Sequence, residues 1–535
     1  MKVVVIVFTF VFLIGSEYSF SQVSNTNISN GKYYDGEPFF AVNPANTNNL
    51  IIAWMGLSLT SFEVTIKTEN SFDGGITWGN YNELSHIGKT WHSADVSMTF
   101  RKDGIVFLSY IDYREAPDSG GDFVVQSSNG GISWSTPVEA MSITETPKLA
   151  IDRPWIMVDN SNTTNAGTLY LTTKPAPWIP APNRPYLEVS KDSNKTWSPY
   201  RYIDSVGYYV GNDIQAPMAS VAVSANGALC LAYPSYLISQ SVYAQEFLAK
   251  SYDKGNTFSY YTIGSTASTV NDTNYKRAYR IVTNPIDSNQ MAFANMENNY
   301  GDPDIFVTTT NDGGKTWSSV VRVNDDPIGN GVAQDMLWSN YDTSGNLLVS
   351  WRDRRNSGDT GFYAPNDFYC SMSTDNGHTF SPNVRLSNIT APFDSVLSKP
   401  GNDFMCNALV NDSIYAAWGD ITSGSDINVY FAKASAQTGS GLPPVLIYSE
   451  KAPMICIYPD PSQNTIQAQF ILTEGEKAVI TVVDVSGKQV LALPSKYYPS
   501  GNNKIDLNIQ QLPGGHYFFN LKTEDGIQTA KFVKE

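Results

Sequence analysis

Glu37, Asp95, Arg153, Arg280, Asp335 and Asp403 stand at comparable places in a chain that repeats itself. Each opens an apolar run of one kind, as in Glu37-Pro38-Phe39-Phe40, Asp95-Val96-Ser97-Met98 and Arg153-Pro154-Trp155-Ile156. With Ala216 in fourth place the steps are 58, 58, 63, 64, 55 and 68 residues. If such residues converge they can do chemistry. Carboxyl groups give and take protons, guanidinium groups grip carboxylates as a bidentate fork, and a phenol can act as a nucleophile. A second charged set follows a later apolar run in each unit: Asp112, Tyr113, Arg114, Glu297, Arg352, Asp353, Arg354, Arg355 and Asp420. Gathered at a channel mouth, the two sets would make a site for a polar ligand. Charges of this kind also arise as solvated strand ends that neutralise one another.

The elements that would gather them are set by a second repeat. Six octapeptides share one pattern: Ser71–Trp78, Ser127–Trp134, Ser190–Trp197, Ser251–Phe258, Thr310–Trp317 and Ser373–Phe380, at steps of 56, 63, 61, 59 and 63. Asp, Asn and Gly in the middle favour a tight turn, and the closing Trp or Phe can pack between neighbouring sheets. Apolar strands lie between the copies, and a seventh unit (402–409, 413–418 and 428–432) repeats the strands without the octapeptide. A turn motif recurring about every 60 residues in β-rich sequence predicts an all-β fold, a β-propeller of small radial sheets. Seven units predict seven blades, with residues 23–30 supplying the last outer strand; six blades follow if one unit is misread.

The octapeptide resembles the Asp-box, or BNR repeat, of sialidases and related propellers, over residues 23–435. That resemblance implies hairpin staples on the rim, away from the central pocket. It also implies a chemistry: three arginines clamp a sialic acid carboxylate, an Asp does acid–base work, and a Tyr assisted by a Glu attacks the sugar. Carried onto this chain, the clamp falls to Arg153, Arg280 and Arg352, the acid to Asp95, and the nucleophilic pair to Tyr113 and Glu297. The first inner strand departs from the family pattern, since Gly36-Glu37-Pro38-Phe39 has an acid where the first clamp arginine belongs.

Compartment follows from both ends. Residues 1–21 have a basic start, a short apolar core and small residues before Gln22, which predicts a signal peptide rather than a membrane anchor. After the propeller (22–435), residues 436–454 read as a linker and 455–535 as alternating strands and turns. The tail carries Tyr458-Pro459-Asp460-Pro461, Val479–Asp484, Ser486-Gly487-Lys488, Leu512–Gly515 and Lys531–Lys534. It resembles the C-terminal sorting domain of type IX secretion in Bacteroidetes. The resemblance implies a small antiparallel β-sandwich read by the secretion machinery, with the propeller as cargo for the cell surface or the medium.

Composition narrows the partners. A net charge of −16 argues against nucleic acid. Four cysteines lie far apart, and Cys230, Cys370 and Cys406 fall in apolar strand patterns, as buried free thiols do. Four histidines without Cys/His spacing give no zinc pattern. No cofactor is required. Segments 298–302 and 423–426 offer loop oxygens of the kind a calcium ion takes. Three functions fit: a secreted sialidase-like glycoside hydrolase acting on an extracellular glycan or glycoprotein, a non-catalytic glycan- or protein-binding propeller, and a surface adhesion component using loops such as Thr173–Pro185.

Overall fold

The computed structural model describes residues 18–20, 23–114, 119–145, 151–176, 184–211, 219–269, 278–393, 402, 405–422, 424, 426–438, 455–458, 462–472, 475–484, 488–523 and 526–535. The chain divides into two compact units, Met1–Gly439 and Ser440–Glu535. Most of the segment read as a signal peptide, and most of the linker, lie outside the described residues.

The first unit holds seven antiparallel sheets. Their innermost strands are Asp35–Val42, Trp91–Phe100, Ile151–Val158, Ser220–Val223, Tyr279–Thr283, Gln334–Tyr341 and Met405–Val410. The next strand outward in each sheet is apolar almost without break, as in Leu50–Leu57. Trp54, Trp351 and Trp418 on these strands are fully or almost fully buried. Stacking between two neighbouring sheets covers both faces of a strand and removes the usual apolar–polar alternation.

Side chains tie each sheet to the next. Asn70 donates to the Gly130 carbonyl (2.8 Å), the Ile156 amide to Ser97 Oγ (2.9 Å), and Thr172 Oγ1 to the Ala219 carbonyl (2.9 Å). The Ile281 amide donates to Ser220 Oγ (3.1 Å), Arg280 Nε to the Ser339 carbonyl (3.0 Å), and Asn407 to the Trp338 carbonyl (3.0 Å). The Cys406 thiol reaches the Pro38 carbonyl and returns the circle to the first sheet. Closure is completed by Ser24–Asn27, which pairs with Tyr430–Lys433 of the last sheet, as the sequence predicts for residues 23–30.

All six octapeptides fold alike. The first hydroxyl accepts the amide four residues on, at 2.8–3.1 Å, in Ser71, Ser127, Ser190, Ser251, Thr310 and Ser373. Asp312 then accepts the Lys315 amide (2.9 Å), the Thr316 amide (3.0 Å), Thr316 Oγ1 (2.6 Å) and Thr310 Oγ1 (2.8 Å). The turn needs left-handed backbone: Gly314 has φ 92°, and a Cβ there would meet Leu248 at 2.4 Å. Trp78 packs edge-on against Phe431 of the neighbouring sheet at 4.9 Å. We expect Asp312→Ala to cost about 1 kcal/mol, since several exposed hydrogen bonds are exchanged for water. Urea unfolding would measure it, with function at the channel unchanged because the boxes are remote from the mouth.

Cys230, Cys370 and Cys406 are buried free thiols. The second unit pairs two sheets, one of Cys456–Tyr458, Thr465–Leu472 and Gly501–Asn508, the other built on Glu476–Asp484, Gly515–Thr523 and Gly526–Lys534. Ile466, Phe470, Ile480, Val482, Phe519 and Phe532 form its core. This is the small sandwich that the tail sequence implies.

Candidate active site

Four inner strands carry the same irregularity. Pairing register shifts between Gly36 and Phe39, Ala94 and Ser97, Asp152 and Trp155, and Asp335 and Trp338. Inside each bulge one residue has a left-handed backbone: Glu37 (φ 52°), Asp95 (55°), Arg153 (58°) and Met336 (54°). Non-glycine residues there cost about 1–2 kcal/mol each, and bulges re-aim side chains at functional rims. On the first three sheets the re-aimed residues are all charged.

Asp95 lies at the centre of this corner. Its Oδ2 accepts the Arg153 amide at 3.3 Å, and its carboxyl shares a hydrogen bond with Asp152. Burial, reinforced by Asp152 and Glu37 and opposed by Arg153, pushes the Asp95 carboxyl well above its ordinary value. Burial works against the Asp152 charge too. Lys174 at 2.5 Å, the hydrogen bond from Asp95 and the nearby Arg153 outweigh it and hold Asp152 below its ordinary value. The pair therefore divides its roles at neutral pH, with Asp95 carrying the proton and Asp152 the charge. Tyr113 stands beside them, its phenol pushed up to about 12 by burial and by Asp95 and Asp152. Two carboxyls that share a proton are too close to flank a glycosidic bond, where about 5 Å or more separates them. Such a dyad can act as one proton donor but not as an acid and a nucleophile.

The structure brings Asp95, Tyr113 and Arg153 together at one corner of the mouth and places the other catalytic candidates on the fifth and sixth sheets. Asp335 precedes its bulge, so it matches Asp152 rather than the ring position the sequence steps give it. It faces Arg352 directly across the strand pair and accepts Arg352 Nε (2.7 Å) and Nη2 (2.5 Å) and both Nη groups of Arg354. Arg352 is thus half of a buried ion pair. Arg280 lies two residues deeper than the ring, because the fifth inner strand pairs without a bulge. It stands level with Trp155 and Trp338, its guanidinium 3.8 Å from the Trp338 ring centre. Glu297 sits on the fifth sheet, where the Asn295 amide donates to it at 3.3 Å and to Glu246 at 2.5 Å. Asp112 is engaged by His86 (2.8 Å), the Ile87 amide (2.7 Å) and Ser93 (3.1 Å). Asp403 lies outside the described residues.

Asp152 and Lys174 are the members that sequence reasoning missed. The signal was present: a lysine inside the apolar strand Leu169–Pro175, directly opposite Asp152 in register.

Behind the mouth, across the seam between the second and third sheets, lie the fully buried Asp122 and Glu188. Burial, with Asp122, Glu145 and Glu139 adding to it, pushes Glu188 up to about 10, and burial pushes Asp122 well up. A folded state that keeps Glu188 protonated binds more protons than the unfolded chain, so its contribution to stability is full below the ordinary glutamate value. That contribution is lost as pH rises toward 10. We expect Glu188→Gln to match the wild type near pH 4 and to exceed it by on the order of 2–4 kcal/mol at pH 8. Denaturant melts at the two pH values would show it; equal curves at both would refute the buried neutral acid.

Among the described residues no group of three or more His, Cys, Asp or Glu could hold a metal ion. In the 298–302 loop Asp302 accepts the Gly331 amide at 2.7 Å. Ser423 and Ser425 of the other candidate calcium loop, and residues 177–183 of the aromatic-rich loop, lie outside the described residues.

Comparison with known proteins bears on both units. Residues 48–354 match a BNR repeat-like domain, and residues 456–535 match a secretion system C-terminal sorting domain. The second match marks the chain for type IX export to the cell surface or beyond it; no described helix is long and apolar enough to cross a membrane. No curated protein matches the chain. Solved structures of similar form include a protein of unknown function from Dyadobacter fermentans (14% identity, TM-score 0.41, covering 78% of this chain and 99% of that one). An α-L-arabinofuranosidase of Fusarium graminearum follows at 11% and 0.43, covering 77% and 97%. A Trypanosoma rangeli sialidase stands at 10% and 0.38, covering 97% and 92%. None is similar enough to transfer a residue role.

Proposed function

Because this chain belongs to the BNR repeat-like domain family, whose repeats build the scaffold and leave the chemistry to the channel mouth, we propose that a glycoside is hydrolysed there, outside the cell. The observation that carries this reading is the Asp95–Asp152 pair, one carboxyl kept protonated and the other kept charged by Lys174 and Arg153. Asp95 donates its proton to the leaving-group oxygen as the glycosidic bond breaks. Tyr113 attacks from its place beside the dyad. Burial and the nearby carboxyls hold the phenol neutral at rest, so its proton passes to the charged Asp152 as it attacks the anomeric carbon. Water, deprotonated by the Asp95 carboxylate left after the first step, then displaces the phenol, which recovers its proton from Asp152. Arg153 holds a polar group of the sugar.

The substrate is a sugar that does not depend on a three-arginine grip. Of the three clamp candidates Arg352 is paired with Asp335, Arg280 lies below the mouth, and Arg153 stands at the mouth beside the carboxyl pair. Hydrolysis of a panel of fluorogenic glycosides by the full chain, with an α-sialoside included, tests the reading. Turnover of a neutral pyranoside or furanoside supports it. Turnover of the α-sialoside alone would restore the sialidase assignment. The same depleted clamp favours a second reading, a mouth that binds a glycan without cleaving it; glycan binding with no turnover across the panel would establish that instead.

A further inference from the structure

The central channel holds a second compartment, on the opposite side from the mouth. A cavity of about 310 Å³ is lined by the later residues of the inner strands, from Phe39, Ser97, Trp155, Arg280 and Trp338 onward to turn residues such as Pro44, Thr343 and Asn411. No lining residue precedes that first level in its strand, and the mouth residues Glu37, Asp95 and Arg153 lie two places before it. The end of the cavity nearest the mouth is aromatic, with Phe39 edge-on to Trp338 at 5.3 Å and Trp155 tilted against Trp338 at 5.3 Å. The other end faces the octapeptide turns, since the Gly74 amide of the first box bonds the Asn48 carbonyl of the turn after the first inner strand.

Among the described residues Arg280 is the one cationic side chain lining this space. It is 93% buried, being 7% exposed. Its Nε donates to the Ser339 carbonyl at 3.0 Å, and its guanidinium lies on the Trp338 ring. Among the described residues neither Nη group has an acceptor, so most of its five N–H donors are open to a ligand. Among the described residues no carboxylate pairs with it; Asp342, which lines the turn end of the cavity, is held by the Ser344 and Asn346 amides and the Asn346 side chain. The nearby Cys406 thiol is itself pushed up to about 12 by burial and stays neutral, while burial alone brings the guanidinium down to about 10. A buried charge without a counter-charge is costly, and stacking on Trp338 offsets that cost only in part. The walls beyond it are apolar at Val42, Phe100, Met157, Val221, Leu409 and Val410 and polar toward the turns, at Asn340, Asp342, Thr343 and Asn411.

We propose that this cavity binds a small organic monocarboxylate, its carboxylate forked on the Arg280 Nη groups and its apolar body against the walls. A guanidinium matches a planar carboxylate with two parallel hydrogen bonds. A single cation beside apolar wall residues, with the lining carboxylate of Asp342 already held by its own turn, suits a monoanion better than phosphate, which carries more charge and needs more donors. The site does not use the residues proposed for the mouth, since Asp95, Asp152, Arg153 and Tyr113 are not among its lining residues.

Calorimetric titration of the full chain with benzoate is the test, with acetate and inorganic phosphate as comparators. We expect saturable one-to-one binding of benzoate, weaker binding of acetate and none of phosphate. Arg280→Met should weaken benzoate at least about tenfold, as loss of a charge-assisted pair requires. That variant replaces an uncompensated charge with an apolar chain of similar length and should melt no lower than the wild type. Val410→Trp, which fills the cavity without touching Arg280 or the aromatic end, should also abolish binding. Absence of saturable binding below about 1 mM would overturn the site. So would equal binding by Arg280→Met, and phosphate binding as tight as benzoate would overturn the ligand class.

Discussion

Asp95→Asn should lower kcat/KM for the glycoside substrate by about 10²–10⁴-fold, the usual worth of a positioned general acid. The fold should be untouched. Asn is among the residues that best tolerate the left-handed backbone at this position (φ 55°), and it is as neutral as the protonated acid it replaces. The effect therefore separates chemistry from stability, which most substitutions in a buried charged cluster cannot do. A pH profile sharpens it. Asp95 titrates well above an ordinary aspartate, so wild-type kcat/KM should fall on the alkaline side as the shared proton is lost, and the residual activity of Asp95→Asn should lack that limb. Unchanged turnover in Asp95→Asn would remove the dyad from the reaction altogether.

The second large effect concerns stability. Asp335→Ala should destabilise the propeller by about 3–5 kcal/mol, because it strands two buried guanidinium groups, Arg352 and Arg354. Burial alone would push Asp335 up, but the two arginines outweigh it and hold the carboxyl at about 2. Its contribution is thus present at neutral pH and is lost as pH falls from about 4 through about 2. Replacing all three residues together, Asp335→Leu with Arg352→Met and Arg354→Met, should cost far less than Asp335→Ala alone, since no charge is left unpaired. Urea midpoints of the two variants decide it; a triple variant as unstable as the single one would mean that packing, not charge, holds this corner.

The repeats made the scaffold legible. Six boxes, the strands between them and the closing role of residues 23–30 can all be read because turn chemistry and apolar runs are local properties. Part of the mouth could be grouped from the sequence too: Asp95 and Arg153 stand at matching places in successive inner strands, and Tyr113 lies on the strand paired with that of Asp95. What the sequence steps could not carry is the β-bulge. It occurs on the first, second, third and sixth inner strands and not on the fifth, so equal spacing along the chain places Arg280 in the ring when it stands two residues inside. Pairing across strands was hidden for a similar reason. Asp335 opposite Arg352 and Asp152 opposite Lys174 are contacts of register, and register is set by the whole sheet.

The strand that closes the ring also fixes when the ring can form. Ser29 Oγ accepts the Val429 amide across a separation of 400 residues, beside the Ser24–Asn27 pairing with Tyr430–Lys433. Loop closure of that span comes late, since non-local contacts form only after the intervening chain is ordered. A chain that leaves the cytoplasm end first therefore cannot complete its circle until nearly all of the propeller has been delivered, and it stays open, threadable and vulnerable to proteolysis until then. Export and folding are put in order by a strand of four residues.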